Sequence, residues 1–414
     1  MTVSERFHSD VIRFAIDGIE MIGNNRTGSL IGLDNNGVAF VSEILADKSP
    51  EITEGLEPLY QALKTGRFFK GNTEKENRIL SAYFHVTDRC NFHCVGCYSY
   101  VNERNCKIDL SFEQICYELD ELSENGVGLI VISGGEPFIR DDIDQICKYA
   151  KSLGMITRII TNGTMPHDRY KKAIPYLNQI SVSVDGYNEN VSFIRDKGTM
   201  PKVIETVKML KSEGAAVNLV FTLHHLNSSY LNEYRMLAES LGVTHNFSIL
   251  TTSSDDEALA DYVLNKEDFD KVNEYLKQHR AIITDSALES EGLACKTRCA
   301  AGKMMVSIAA DGTVYPCHML HVDELKLGNL IDTKLKDIVF SESNPFLNLD
   351  IHSIEDCKTC KYGYLCGGGC RARSYLSRGS IYKNSDICEM SYKDLDKKFT
   401  RLKQMYGLEK GESK

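Results

Sequence analysis

"YFHVTDRCNFHCVGCYS" (residues 83–99) runs from a short apolar stretch straight into three closely spaced cysteines, Cys90, Cys94 and Cys97. Residues 83–86 read as a strand, and the cysteines follow it as C-x3-C-x2-C. Thiolate is a soft ligand that selects zinc, copper(I) or iron–sulfur clusters. Zinc would want a fourth ligand, and His85, His93 and Cys106 are at hand. The tight spacing equally suits a compact cubane. A 4Fe–4S cluster held by three thiolates keeps one iron open, as a catalytic zinc site keeps an open position for its substrate.

Outward from this stretch, short apolar runs alternate with amphipathic segments. The helix "SFEQICYELDELSENG" has Ser111 as N-cap and Gly126 after its end. The buried strand "LIVI" (129–132), a glycine-rich loop and a helix over about 141–153 come next. "ITRII", "ISVSV", "VNLVFTL" and "THNFSIL" complete six strands, each of the earlier ones followed by a helix. This alternation predicts an α/β fold, a parallel sheet or partial (β/α)6 barrel with its chemistry at the C-terminal strand ends. Six units leave an open side that admits a large substrate. Cys116 and Cys147 fall on apolar helical stripes and read as small core residues.

The 414-residue chain is 42% hydrophobic and 26% charged, enough for a large core that needs no disulfide staples. Its net charge of −10 and lack of a Lys/Arg block argue against nucleic-acid binding. "MTVSERFHSD" has no apolar stretch of a signal peptide, and no run is long enough for a membrane span. A cytoplasmic location is expected, where cysteines serve as metal ligands before disulfides. Residues 1–75 read as a separate unit, with "GSLIGLDNNGVAFVSEIL" (28–45) forming two short strands about an Asn-Asn-Gly turn, then a helix near 53–65. Residues 76–250 hold the barrel and 251–290 a connector with a helix near 266–280. Residues 291–395 are cysteine-rich with little periodicity, a pattern that folds around metal. Residues 396–414 read as a charged helix and tail.

A second motif, "ISGGEPFIR" (132–140), follows the second strand, where two glycines permit close backbone approach and Glu136 adds a carboxylate. C-x3-C-x2-C after the first strand, GGEP after the second and "TNG" (161–163) after the third resemble the radical S-adenosylmethionine (SAM) superfamily over residues 80–250. The resemblance implies that Cys90, Cys94 and Cys97 hold a 4Fe–4S cluster whose open iron chelates the methionine moiety of SAM. Gly134, Gly135 and Glu136 would bind the methionine ammonium. One-electron cleavage would yield a 5′-deoxyadenosyl radical that takes a hydrogen atom from the substrate. Ser183, with Asp185 behind it, is the candidate ribose contact, although Asp-Gly also ends a strand well as turn chemistry. Arg195 suits the methionine carboxylate or a surface ion pair. The family usually has an aromatic residue just before the third cysteine; this chain has Gly96 there and Tyr98 just after it. No acid–base residue stands out.

The last third holds Cys295, Cys299, Cys317, Cys357, Cys360, Cys366, Cys370 and Cys388. On spacing they would serve a pair of zinc sites. "DGTVYPC" (311–317) and C-x2-C-x5-C-x3-C at 357–370 resemble the SPASM extension of radical SAM enzymes. That resemblance implies two auxiliary 4Fe–4S clusters, three clusters in all. Cys295, Cys299, Cys317 and Cys370 would hold one; Cys357, Cys360, Cys366 and Cys388 would hold the other. Without Cys295, the first would keep an open iron. The N-terminal unit resembles the winged-helix module that grips leader peptides by strand addition, or else caps the barrel. The expected function is a maturase of a ribosomally made precursor peptide, forming a thioether or carbon–carbon cross-link, with flavodoxin or ferredoxin as electron donor. A sulfatase-maturing oxidase, a peptide epimerase and a zinc-stabilised binding protein are the alternatives.

Overall fold

The computed structural model describes residues 2–71, 78–97, 105–106, 108–251, 257–279, 283–284 and 293–405. The N-terminal unit consists of β1 (Val11–Ile16), β2 (Ile19–Asn24), β3 (Leu30–Leu33), α1 (Asn35–Leu45) and α2 (Glu57–Thr65). The strands form an antiparallel sheet in the order β1-β2-β3. This corrects the expected hairpin about Asn-Asn-Gly. Asp34 accepts a hydrogen bond from the Gly37 amide at 2.7 Å and so caps a helix. Phe40, Val41 and Ile44 then fall on one buried stripe against Leu63 and Phe68. The hairpin turn lies earlier, at Asp17-Gly18, whose φ values of 51° and 80° suit a tight turn between twisted strands.

The barrel follows the expected alternation: β4 (Ser81–His85), α3 (Phe112–Glu124), β5 (Leu129–Ser133), α4 (Ile143–Ser152), β6 (Ile156–Thr161), α5 (His167–Ala173), β7 (Gln179–Val184), α6 (Met200–Ser212), β8 (Val217–Leu223), α7 (Leu231–Leu241) and β9 (Thr244–Ile249). Strands β4 to β9 pair in sequence order, all parallel. Ser111 caps α3 in a reciprocal capping box with Gln114. Ile115, Leu119 and Leu122 turn that helix's stripe into the core, as Ile143, Ile146, Cys147 and Ala150 do for α4. Cys147 is buried as expected, and Cys116 is half-buried.

Then come α8 (Lys266–Gln278), β10 (Ile283–Thr284), β11 (Met305–Ile308), β12 (Thr313–Tyr315), β13 (Gly328–Asn329), α9 (Leu335–Val339), α10 (Gly363–Cys366), α11 (Arg371–Arg378) and α12 (Cys388–Met405). The cysteine-rich region is therefore more regular than its sequence suggests. Strand β11 pairs parallel with β4, and β12 and β13 continue the sheet antiparallel. One ten-stranded sheet, β10-β9-β8-β7-β6-β5-β4-β11-β12-β13, thus runs through both regions. On the far side, the fully buried Arg373 donates to the carbonyls of Ile249 and Leu250 at the end of β9 and pairs with Asp386 at 2.9 Å. The N-terminal unit docks on the cysteine-rich region: Thr297 N–H donates to Asn25 Oδ1, and Lys361 pairs with Asp17 in the hairpin turn. Among the described residues, no helix is long and apolar enough to cross a membrane.

Helix α3 meets the Asp311–Thr313 turn through a buried carboxyl. Glu118 Oε1 has no hydrogen-bond partner, and a Cβ added to Gly312 would lie 2.8 Å from it. Burial, with Asp311 adding repulsion, pushes Glu118 from 4.5 up to about 8. The unfolded chain sheds this proton near 4.5 while the folded chain keeps it to about 8, so stability falls as pH rises through that window. Glu118→Gln should flatten that slope in urea midpoints taken between pH 5 and 8; a slope identical to wild type would contradict the assignment.

Candidate active site

The cysteine loop leaves the end of β4 and is pinned from three sides. The Gly135 amide donates to the Thr87 carbonyl at 2.8 Å, and the Glu136 amide donates to the Arg89 carbonyl at 2.8 Å. This contact explains the two glycines. A Cβ on Gly134, whose φ is 130°, would lie 2.2 Å from the Thr87 oxygen; one on Gly135 would lie 1.9 Å from the Arg89 oxygen. From the β6 side, Asn162 Nδ2 donates to Asn91 Oδ1 at 2.8 Å, and Asn91 Nδ2 donates to Thr164 Oγ1 at 3.0 Å. From the loop after β7, the Val95 amide donates to the Ile194 carbonyl at 2.8 Å and the His93 amide to Asp196 Oδ1 at 3.2 Å. Asp109 completes the frame by accepting from Thr87 Oγ1 and Arg89.

Cys90, Cys94 and Cys97 line a single pocket together with Gly134, Gly135, Thr161, Asn162, Ser183, Arg195 and Thr222. All sit at or just beyond the C-terminal ends of β4 to β8, where the alternating pattern placed the chemistry. The three sulfurs share one electrostatic environment. Burial foremost, then Cys97 and Cys90, raises the Cys94 thiol to about 11, while Arg195 opposes the shift. Arg195 Nη1 lies 3.9 Å from Cys94 Sγ, and its buried Nε has no hydrogen-bond partner. An unspent guanidinium N–H beside the pocket is matched to a planar anion.

Two predicted residues act from behind. Glu136 is fully buried. Its oxygens accept from the Asn162 amide at 2.7 Å, Thr161 Oγ1 at 2.8 Å and the Phe138 amide at 3.1 Å. It therefore ties GGEP to TNG, and the glycine backbone is what lines the pocket. Burial raises Glu136 to about 7 against the pull of those donors. Asp185 likewise spends its carboxylate on the amides of Phe193, Ile194 and Arg195, which shape the loop presenting Arg195. Ser183 itself faces the pocket. Asn91, Ile194 and Thr222 went unremarked in the sequence, and Asn162 entered only as part of TNG; for Asn162 and Thr222 the signal is position at a strand end. His93 is largely exposed beside Asp196, and buried His85 lies against His321. Cys106 is exposed. Tyr98 lies outside the described residues.

The rear cysteines gather around α10, α11 and the start of α12. Cys317 and Cys357 are buried in one apolar cluster, with Cys299 and Cys370 packed against it. Burial raises Cys357 to about 12, with Cys366, Cys388 and Cys360 adding to the shift, so these four thiols lie within electrostatic reach of one another. Cys295 lies in another apolar cluster, buried with Phe14, Met21, Tyr362 and Leu365 and with Cys360 and Cys366 packed against it; a Cβ on Gly23 of β2 would lie 2.4 Å from its sulfur. Its thiol is raised to about 12 by burial alone.

Family models match at residues 84–238, "Radical SAM superfamily", and at residues 299–361, an "Iron-sulfur cluster-binding domain" of the SPASM type. The chain belongs to the radical SAM superfamily and carries an SPASM domain. Mycofactocin maturase MftC of Mycolicibacterium smegmatis is 27% identical, over 70% of this chain and 78% of its own. The AdoMet-dependent heme synthase of Methanosarcina barkeri is 24% identical, over 73% of this chain and 94% of its own. Among solved structures, anSMEcpe with bound AdoMet superposes with a TM-score of 0.64 at 20% identity, over 80% of this chain and 96% of that one. SuiB of Streptococcus suis bound to S-adenosylmethionine has a TM-score of 0.57 at 14% identity, over 93% of this chain and 100% of that one. A match that wide must take in part of residues 1–75.

The radical SAM pocket fits its cofactors on its own chemistry: three soft thiolates, a backbone cradle that a Cβ would fill, and a cation with an unspent donor. Gly135→Ala should displace the cysteine loop, since the added methyl overlaps the Arg89 oxygen. Iron bound at this site and SAM affinity should both fall sharply in anaerobically reconstituted protein. Wild-type iron and SAM binding in that variant would show that the close approach is dispensable.

Proposed function

We propose that this radical SAM/SPASM enzyme is a maturase of a ribosomally made precursor peptide. The observation that carries the reading is the open pocket at the strand ends, combined with an N-terminal sheet unit docked on the SPASM domain. When bound, SAM and its cluster supply a carbon radical able to take a hydrogen atom from an unactivated position. The chain's own part is to bind and orient. Cys90, Cys94 and Cys97 would hold the cluster. The Gly134–Gly135 backbone would cradle the methionine ammonium, with Glu136 fixing that turn from behind. Arg195 would pair the methionine carboxylate, and Ser183 would meet the ribose. Ile194 and Arg195 of the 192–196 loop form part of the pocket wall.

The SPASM cysteines would hold two auxiliary 4Fe–4S clusters, giving roughly twelve irons per chain if all three sites load as cubanes. Cys357, Cys360, Cys366 and Cys388 form one ligand set. Cys299, Cys317 and Cys370 would form the other, and the packing of Cys295 in a different apolar cluster, under β2, supports an open iron there. The electron released on bond formation would leave through these clusters, and a flavodoxin or ferredoxin would be the donor that reduces the cluster at Cys90, Cys94 and Cys97.

Support for a peptide comes from the relatives: MftC is named a maturase, and SuiB has been solved with precursor peptide SuiA. The winged-helix-like reading of residues 1–75 is supported by three antiparallel strands with an open β3 edge, to which a leader strand would add. The likeness to anSMEcpe, solved with a Cys-containing peptide, keeps sulfatase-type oxidation in view, and the heme synthase keeps a tetrapyrrole in view.

The test is product mass. Reconstituted protein, SAM, a reductant and the peptide encoded beside it should give a peptide lighter by a pair of hydrogens, and Cys97→Ala should abolish the change. An unaltered peptide alongside turnover of a tetrapyrrole would overturn the reading; deuterium uptake from heavy water would assign an epimerase. Cys295→Ala should keep wild-type iron content whereas Cys317→Ala loses iron; equal losses would make Cys295 a ligand.

A further inference from the structure

We propose that Arg371 is a counter-cation shared by both auxiliary clusters, and that its charge raises their reduction potentials. The inference rests on the reading of two SPASM clusters given above. Arg371 opens α11 immediately after Cys370 and is 1% exposed. Its guanidinium donates to four backbone carbonyls: Gly369 at 3.5 Å, Ile381 at 2.7 Å, Lys383 at 2.8 Å, and Gly368. Those bonds engage each of its three nitrogens and leave its charge unopposed. Among the described residues, no carboxylate pairs with it.

Its neighbour supplies the contrast. Arg373, two residues on along the same helix and equally buried, has Asp386 at 2.9 Å. A buried cation is held by an anion or by hydrogen bonds; Arg371 has only the bonds, so its charge remains to act on whatever negative charge lies beside it. The groups in electrostatic reach are the sulfurs of Cys299, Cys357, Cys370 and Cys366, drawn from both proposed ligand sets. Cys317 and Cys357 are buried in one apolar cluster, with the half-buried Cys299 and Cys370 packed on it, so the surroundings are apolar. In such surroundings a fixed positive charge acts strongly and is little screened.

The sign follows. A thiolate-ligated cubane is anionic and becomes more so on accepting an electron. A nearby cation stabilises the reduced form more than the oxidised one, which raises the potential. Arg371 would thereby make both clusters better acceptors for an electron leaving the substrate.

The experiment is a potentiometric titration of the reconstituted full chain, followed by electron paramagnetic resonance, in wild type, Arg371→Gln and Arg371→Lys. Both auxiliary potentials should fall in the Gln variant and return toward wild type with Lys. The cluster at Cys90, Cys94 and Cys97 should not move. Unchanged potentials in Gln, movement of one auxiliary cluster alone, or equal shifts in Gln and Lys would each overturn the proposal. If Gln fails to take up the auxiliary clusters, full loading and wild-type potentials in Lys support a charge requirement; a Lys variant that also fails to load, or loads with shifted potentials, overturns it. Wild-type protein holding only about four irons would instead defeat the two-cluster reading, a result read from iron content before any potential is measured.

Discussion

Two backbone carbonyls, those of Thr87 and Arg89, press against a pair of glycines at the end of the neighbouring strand. Much of the molecule is arranged around that contact. It fixes the start of the cysteine loop relative to β5, and Glu136, one residue further, passes the constraint to β6 through Thr161 and Asn162. Asn162 returns to the loop through Asn91. Each strand end is thus registered to the next by short polar contacts. Three thiolates meet one pocket although nothing regular separates them in space. The sheet supplies the rigid platform that a loop of this kind lacks by itself.

Buried charge is handled in three ways here. Glu136 and Asp185 are surrounded by amide and hydroxyl donors, so each holds a loop in shape. Glu118 has no such donors at Oε1 and keeps its proton to about 8. Arg373 takes a carboxylate, while Arg371 has only carbonyls and sulfurs about it. The same rule governs all of them: a buried charge is answered by a charge or by a full set of hydrogen bonds, or it is neutralised.

The SPASM region does more than carry cysteines. By lending β11 to the edge of β4 it covers one side of the open barrel, and Arg373 ties it to the last barrel strand at the other. The N-terminal unit in turn rests on the SPASM region, with Cys295 packed beneath β2. The N-terminal unit and the cysteine-rich region are therefore continuous in packing.

Period and spacing determined much of this protein from sequence alone. The strand runs, the Ser111 cap, the core stripes of α3 and α4, and the motif positions after successive strands are local properties, set by residues a few places apart. The Asp34 cap was also local, yet the Asn-Asn-Gly signal outweighed it on the page, because a turn and a helix start use the same residues. What only the tertiary structure decided involves groups far apart in the chain. Glu136 and Asp185 turn away from the pocket because donors from other loops claim their oxygens. Strand β11 joins the barrel sheet because β4 offers it a free edge. Cys295 packs under β2 beside Cys360 and Cys366 because an apolar recess there accepts a small buried thiol. Spacing names the ligands a chain carries; the direction each side chain takes depends on which distant partner gains most from it.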